Sequence, residues 1–127
     1  NIPGVDFING ALGNDPAQTE RDFYVKKDFW DSSLLRPEKF AAVKKVSIRQ
    51  FSDILAEYRP TFIICDIEGG EYELFAGEVD LGPVRKVCME IHIAGQSELD
   101  RLGAFFQKRG FALKPPPLRL GVNFWQR

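Results

Sequence analysis

The 127 residues are 44% hydrophobic and 28% charged, with 17 basic and 18 acidic side chains, the composition of one ordinary globular domain. No apolar run approaches the roughly 18 residues of a membrane span, no charged segment leading into an apolar one reads as a signal peptide, and disorder and a collagen-like chain are excluded as well. A net charge of −1 gives no electrostatic reason to expect a nucleic-acid backbone or an anionic membrane as partner.

In chain order, Val5 to Ile8 reads as an opening strand so close to Asn1, which is not Met, that the sequence is expected to be part of a longer chain. Asn9 to Thr19 holds Gly10, Gly13, Asn14, Asp15 and Pro16, a density of turn formers expected of a loop. Phe23-Tyr24-Val25 resumes a strand. Arg36 to Arg49 sets Arg36, Lys39, Lys44, Lys45 and Arg49 against the single acid Glu38, and is expected to be a solvated face. Lys44 to Ile48 follows as a short strand. Ser47 and Gln50 form a capping-box pattern before Phe51, Ile54, Leu55 and Tyr58, whose i, i+3, i+4, i+7 spacing predicts an amphipathic helix ended by Pro60.

Thr61 to Cys65 is an uninterrupted apolar run between Pro60 and Asp66, the pattern of a central strand buried on both faces. Glu71 to Ala76 is a predicted short helix between Gly70 and Gly77, the latter a candidate left-handed cap. Lys86 to Ile93 alternates, with Val87, Met89, Ile91 and Ile93 on one face and Cys88, Glu90 and His92 on the other. Ser97 is a candidate cap for a helix carrying Leu99, Leu102 and Phe106, and Gly110 stands where that helix should end. Beyond it, Phe111 to Leu113, the turn Pro115-Pro116-Pro117 and Val122 to Trp125 suggest an antiparallel hairpin. Strands alternating with helices predict an α/β domain of three layers with right-handed crossovers. Cys65 and Cys88 sit in apolar runs and fit buried thiols of a reduced, cytoplasmic protein.

Chemistry is concentrated at Ile64-Cys65-Asp66-Ile67-Glu68-Gly69-Gly70-Glu71. In open α/β sheets ligands bind beyond the carboxyl ends of strands, and Asp66 stands at such an end. Acids in a first helical turn are also favoured by the helix dipole alone, by about 0.3–1 kcal/mol each. The neighbouring strand adds Glu90 and His92, the chain's one histidine, so five polar groups could meet over one sheet edge. Such a cluster suits either removal of a proton from a substrate hydroxyl or the holding of a hard divalent cation. Composition and spacing do not choose between them.

This segment, followed by Leu74, Gly77 and Met89-Glu90-Ile91-His92, resembles the signature region of the FkbM-type methyltransferases, S-adenosylmethionine-dependent enzymes of the Rossmann-like class. The similarity extends to Val5–Leu12, Val46–Leu55 and Gly110-Phe111. Two features depart from the family: Cys65 stands where a lysine is usual, and the glycine-rich cofactor loop and the ribose-binding acid have no counterpart. The resemblance therefore implies a mostly parallel, three-layer sheet closed by an antiparallel hairpin and lacking the first two strands. Residues 1–127 would be the C-terminal portion of one Rossmann-like domain, with a gap filled by preceding polypeptide or by a partner chain. It implies O-methylation of a small molecule or saccharide with S-adenosylmethionine as cofactor. Ala11 and Leu12, in the turn after the first strand, would lie near the adenine. Asp66 would line the methionine end and the acceptor site, while Glu68, Glu71, Glu90 and His92 shape the acceptor side, with His92 or Asp66 as base and no metal assigned. Two rivals are a non-catalytic binding or scaffolding domain of the same fold, and a metal-dependent hydrolase using Asp66, Glu68, Glu90 and His92.

Overall fold

The computed structural model describes residues 3–27, 32, 37–92, 95–115 and 117–127. In chain order the elements are β1 (Ala11–Gly13), β2 (Glu20–Val25), β3 (Ala42–Gln50), α1 (Phe51–Tyr58), β4 (Phe62–Cys65), α2 (Glu71–Leu74), β5 (Lys86–Ile91), α3 (Gln96–Lys108), β6 (Ala112–Leu113) and β7 (Gly121–Gln126). They build a mixed α/β fold from two sheets, ordered β1-β3-β2 and β4-β5-β7-β6. Ile93, and with it the end of the expected fifth strand, lies outside the described residues, as do Asn1, Arg36 and Pro116. Among those described, no helix is long and apolar enough to cross a membrane.

Several expectations are corrected. Val5 to Ile8 forms no strand: among the described residues none pairs with it in a ladder, and Val5 and Phe7 are exposed. The first strand lies instead at Ala11–Gly13, inside the expected loop, where it pairs in parallel with Ile48, Arg49 and Gln50. Ala11 and Leu12 are thus strand residues and not a turn. Ser47 is a β3 residue, and the N-cap of α1 is Gln50, without a side-chain capping bond. The Gln50 amide is engaged elsewhere, donating to the carbonyls of Asp15 and Gln18 at 2.9 and 3.3 Å and so tying down the loop between β1 and β2. Ser97 likewise falls within α3, whose N-cap is Gly95. Gly77 is left-handed, at φ 64°, but follows the C-cap of α2, Phe75, by two residues.

The sheets also differ from the expected arrangement. Two pairings are parallel, β1–β3 and β4–β5, and three are antiparallel, β2–β3, β5–β7 and β6–β7, so the described residues are not mostly parallel. The terminal hairpin forms as expected, with β7 lying between β5 and β6. β4 is an edge strand and not a central one, with β5 as its one partner among the described residues, and Phe62 and Ile64 on its uncovered face remain 47% and 75% exposed.

The core explains the layering. On the inner face of the larger sheet Cys65, Val87, Met89, Ile91 and Trp125 meet Phe51 and Leu55 of α1, Leu74 of α2 and Leu102, Phe105 and Phe106 of α3 in one buried cluster. The helices pack on that one face. The opposite face carries the exposed Phe62, Ile64 and Val122, so a third layer is absent among the described residues. Phe106, wholly buried, stacks on Trp125 with ring centroids 4.5 Å apart. It also closes α3. Gly110, at φ 79°, donates to Gln107 while Phe111 donates to the Phe106 carbonyl, and the Phe106 and Phe111 rings meet edge to face at 5.6 Å. This is a Schellman motif with its hydrophobic contact, which delivers the chain into β6.

Candidate active site

The parallel β4–β5 pair ends with Cys65 opposite Met89, and the chain leaving each strand supplies the site. After β4 the backbone turns through Glu68 at φ 51° and Gly69 at φ 98° before entering α2 at Glu71. Glycine adopts this conformation freely, whereas a side chain there costs about 1–2 kcal/mol, so Glu68 is held against a local penalty. One residue past β5 stands His92.

Glu71 is wholly buried. Its Oε1 accepts the Gly69 backbone N–H at 3.1 Å and lies 2.7 Å from His92 Nδ1, while Oε2 is buried without a partner among the described residues. A carboxylate on Nδ1 fixes the ring and leaves Nε2 as the group that reacts. His92 Nε2 stands 3.5 Å from Glu68 Oε2 and 3.7 Å from Asp66 Oδ1. Asp66, Glu68 and His92 each offer one atom within 4.8 Å of the others, close enough to hold a metal ion. Burial works to lower the His92 pKa, but the hydrogen bond to Glu71 and the charges of Glu71, Glu68 and Glu90 outweigh it, so the net shift is upward. Cys65, buried beneath, has its thiol pushed up to about 12 by burial first and then by the charges of Glu71 and Asp66.

Of the five acids and bases singled out in the sequence, four converge: Asp66, Glu68, Glu71 and His92. Glu90 stays apart, half-buried in β5, and reaches the cluster through its charge on His92.

A cavity of about 670 Å³ opens beside this cluster, and its wall includes Asp66, Ile67 and Glu68 from the β4–α2 loop together with Ala11 and Leu12 of β1. The three positions assigned by resemblance to the cofactor, Asp66, Ala11 and Leu12, therefore face one space between the two sheets. Arg21 and Arg49 also line it, and were not singled out as site residues. Arg21 pairs with Glu73 at 2.6 Å, tying β2 to α2, and Arg49 pairs with Glu57 at 3.0 Å. The Asn14 amide adds a second tie by donating to the Glu73 carbonyl at 3.0 Å. Arg21 and Asn14 reach α2 from more than fifty residues away, so no local motif announces them, whereas Arg49 reaches α1 from the strand that leads into it.

The family model of the methyltransferase FkbM domain matches residues 6–113. No curated protein and no solved structure matches the chain. With most of its length matched, the chain belongs to the FkbM methyltransferase domain family.

Proposed function

We propose that this chain contributes the acceptor side of a methyltransferase that moves the methyl group of S-adenosylmethionine to a hydroxyl oxygen of a small molecule or saccharide. The observation that carries this is the shared cavity, which has Ala11 and Leu12 on one wall and Asp66 and Glu68 on another. Its volume falls within the roughly 300–1,000 Å³ of small-molecule sites. The donor set fits the cofactor: Ala11, Leu12, Ile67 and Leu74 offer apolar surface for a planar base, and Asp66, Glu68 and Glu73 offer negative charge for a sulfonium.

When bound, S-adenosylmethionine supplies an electrophilic methyl whose bond to sulfur breaks as its bond to the acceptor oxygen forms, the hydroxyl proton being released. The protein's part is positional and electrostatic. Asp66 and Glu68 fix the hydroxyl at the cavity wall, and the tether from Glu71 to Nδ1 keeps the His92 ring from turning away. Asp66 and His92 Nε2, 3.7 Å apart, are the groups at hand to receive the proton. Much of the rate in such a site comes from holding the reacting atoms in line and close.

In the same proposal residues 1–127 form the C-terminal part of a Rossmann-like domain. Two further strands with the glycine-rich cofactor loop seat on the open edge of β4, supplied by preceding polypeptide or by a partner chain. The edge position of β4, paired with β5 alone among the described residues, supports this, because native sheets pair or cover such an edge. The free, unbridged Cys65 and Cys88 support a cytoplasmic setting.

Calorimetric titration of the full native polypeptide with S-adenosylmethionine, alongside transfer of a labelled methyl group to hydroxyl acceptors, tests this. Asp66→Ala should lower transfer at least about 100-fold with the fold intact. Full transfer in that variant overturns the assignment, and absence of cofactor binding by the native protein favours a scaffolding role.

A further inference from the structure

We propose that one face of the β2–β3 hairpin, through Phe23 and Arg21, reads the methyl acceptor and selects an uncharged ring rich in hydroxyl groups. The hairpin has two unlike faces, because successive strand residues point to opposite sides. On one face Asp22 pairs with Lys45 at 2.8 Å and the Tyr24 ring meets that of Phe40 edge to face at 5.2 Å, so these side chains satisfy one another. On the other, Arg21, Phe23 and Val46, which stands opposite Arg21 in the ladder, line the cavity that also holds Asp66 and Glu68 in its wall.

Phe23 is half-buried, yet it stands outside the buried cluster and meets no other ring among the described residues. It offers the cavity a flat apolar platform, on which the C–H side of a saturated ring can lie. Arg21 supplies direction. Its side chain is 23% exposed, and among the described residues one of its five N–H groups is spent, on Glu73 Oε1 at 2.6 Å. The planar fork therefore keeps donors at the cavity beside a carboxylate that accepts. A hydroxyl both donates and accepts, so neighbouring hydroxyls on one ring match a guanidinium and a carboxylate held side by side. Charge disfavours an anionic acceptor. Arg21 is answered by Glu73 and Arg49 by Glu57, so neither arginine is left over for an anion, which would also meet the charge of Asp66. An acceptor with no hydroxyl besides the reacting one would displace water from Arg21 and leave its donors unpaired.

The position suits the acceptor and not the cofactor. In the smaller sheet β3 separates β2 from β1, which sets the hairpin face roughly 10 Å from Ala11 and Leu12, the residues assigned to the adenine. The Arg21–Glu73 pair ties the same face to α2, the helix that follows Asp66 and Glu68. The role in specificity rests on the methyl-transfer proposal, whereas the binding of a hydroxylated ring does not.

The test assays the full native chain with a panel of neutral methyl hexopyranosides, the corresponding uronic acid glycosides and cyclohexanol, and follows glycoside binding separately by saturation-transfer NMR without cofactor. Transfer should favour a neutral glycoside. Phe23→Ala should raise the acceptor KM about 3–10-fold and Arg21→Gln about 10–100-fold, with the affinity for S-adenosylmethionine, measured by calorimetry, within about twofold of wild type. Phe23→Trp should restore the acceptor KM. Because Phe23 lies outside the buried cluster, its variants should keep the wild-type melting curve and remain informative if Arg21→Gln, which cuts the tie to α2, does not fold. Equal transfer to cyclohexanol or to the uronic acids overturns the proposal, as does weakened cofactor binding in Phe23→Ala with the acceptor KM unchanged. Transfer indifferent to both substitutions removes only the role of the hairpin. Glycoside binding that depends on Phe23, without methyl transfer to any acceptor, removes only the methyl-transfer reading, and absence of both in the wild-type chain overturns both.

Discussion

Replacing Glu71 tests the centre of the site and its energetics together. Glu71 is fully buried, and its Oε1 receives both the Gly69 N–H and the His92 ring. Glu71→Gln keeps the shape and removes the charge. The charge-assisted bond to histidine contributes about 1.5–3 kcal/mol, and release of a buried carboxylate with an orphan oxygen offsets part of its loss. A net cost of about 1 kcal/mol is expected. Glu71→Ala strands the Gly69 N–H and the imidazole as well. It should cost about 3 kcal/mol, the low end of the ~3–5 kcal/mol for breaking a buried pair, because His92 keeps 21% of its side chain exposed. Urea unfolding in chelator, followed by circular dichroism, measures both. The histidine supplies a second readout. Burial alone would lower its pKa, and the Glu71 bond and charge lead the groups that raise it, so Glu71→Gln should bring the His92 NMR titration to lower pH. Because the folded pKa lies above the unfolded value near 6.5, the native state binds more protons in the interval between them. The stabilisation is complete below about pH 6.5 and is lost as pH rises through the folded pKa. Wild-type protein should lose stability across that interval, and Glu71→Gln should lose less. An unchanged His92 titration, or the same pH slope in the variant, refutes the account of the pair.

Arg59, the C-cap of α1, sits in the left-handed region at φ 45° with its N–H bonded to Leu55. Arg59→Gly should raise stability by about 0.5–1 kcal/mol in urea unfolding, and a loss would show that the Arg59 side chain holds the turn. Phe106→Ala empties a site ringed by Phe75, Phe105, Phe111 and Trp125 and should cost about 3–5 kcal/mol, visible as a lower urea midpoint. With its thiol pushed up to about 12, Cys65 should resist a thiol reagent at pH 8 while the half-buried Cys88 reacts first; mass spectrometry showing equal labelling of the two would contradict that.

Where local pattern coincided with burial, the fold was legible. The i, i+3, i+4, i+7 spacing of Phe51, Ile54, Leu55 and Tyr58 placed α1, and the alternation from Lys86 placed β5, whose Val87, Met89 and Ile91 are buried as the period requires. The failures share one cause, which is that pattern reports what a segment could bury and not what is there to bury it. At Thr61 to Cys65 the run is apolar enough for a strand enclosed on both faces, yet Ile64 is 75% exposed because, among the described residues, nothing covers that face of β4. Val5 to Ile8 reads as a strand and forms none, and among the described residues no strand pairs with it. Caps failed differently. Ser47 and Ser97 were credible from residue type, but where a helix begins depends on how far the preceding strand or loop runs, and β3 continues through Gln50.

The site was legible to the extent that it is local. Asp66, Glu68 and Glu71 fall within six consecutive residues, and the alternation of the next strand added His92 near its carboxyl end. What could not be read was the inequality among them. Glu71 looks like any acid in a first helical turn, where the dipole alone would explain it. Its complete burial depends on α2 packing into the core through Leu74 and Phe75, a consequence of tertiary structure. Glu68 shows the same limit from the other side. A glycine would occupy its left-handed backbone without penalty, as Gly69 does next to it, yet a carboxylate stands there 3.5 Å from Nε2. A left-handed non-glycine residue costs about 1–2 kcal/mol, so Glu68→Gly should relax the turn and raise stability in urea unfolding, while under the proposed function it should lower methyl transfer; unchanged transfer would separate the turn from the chemistry.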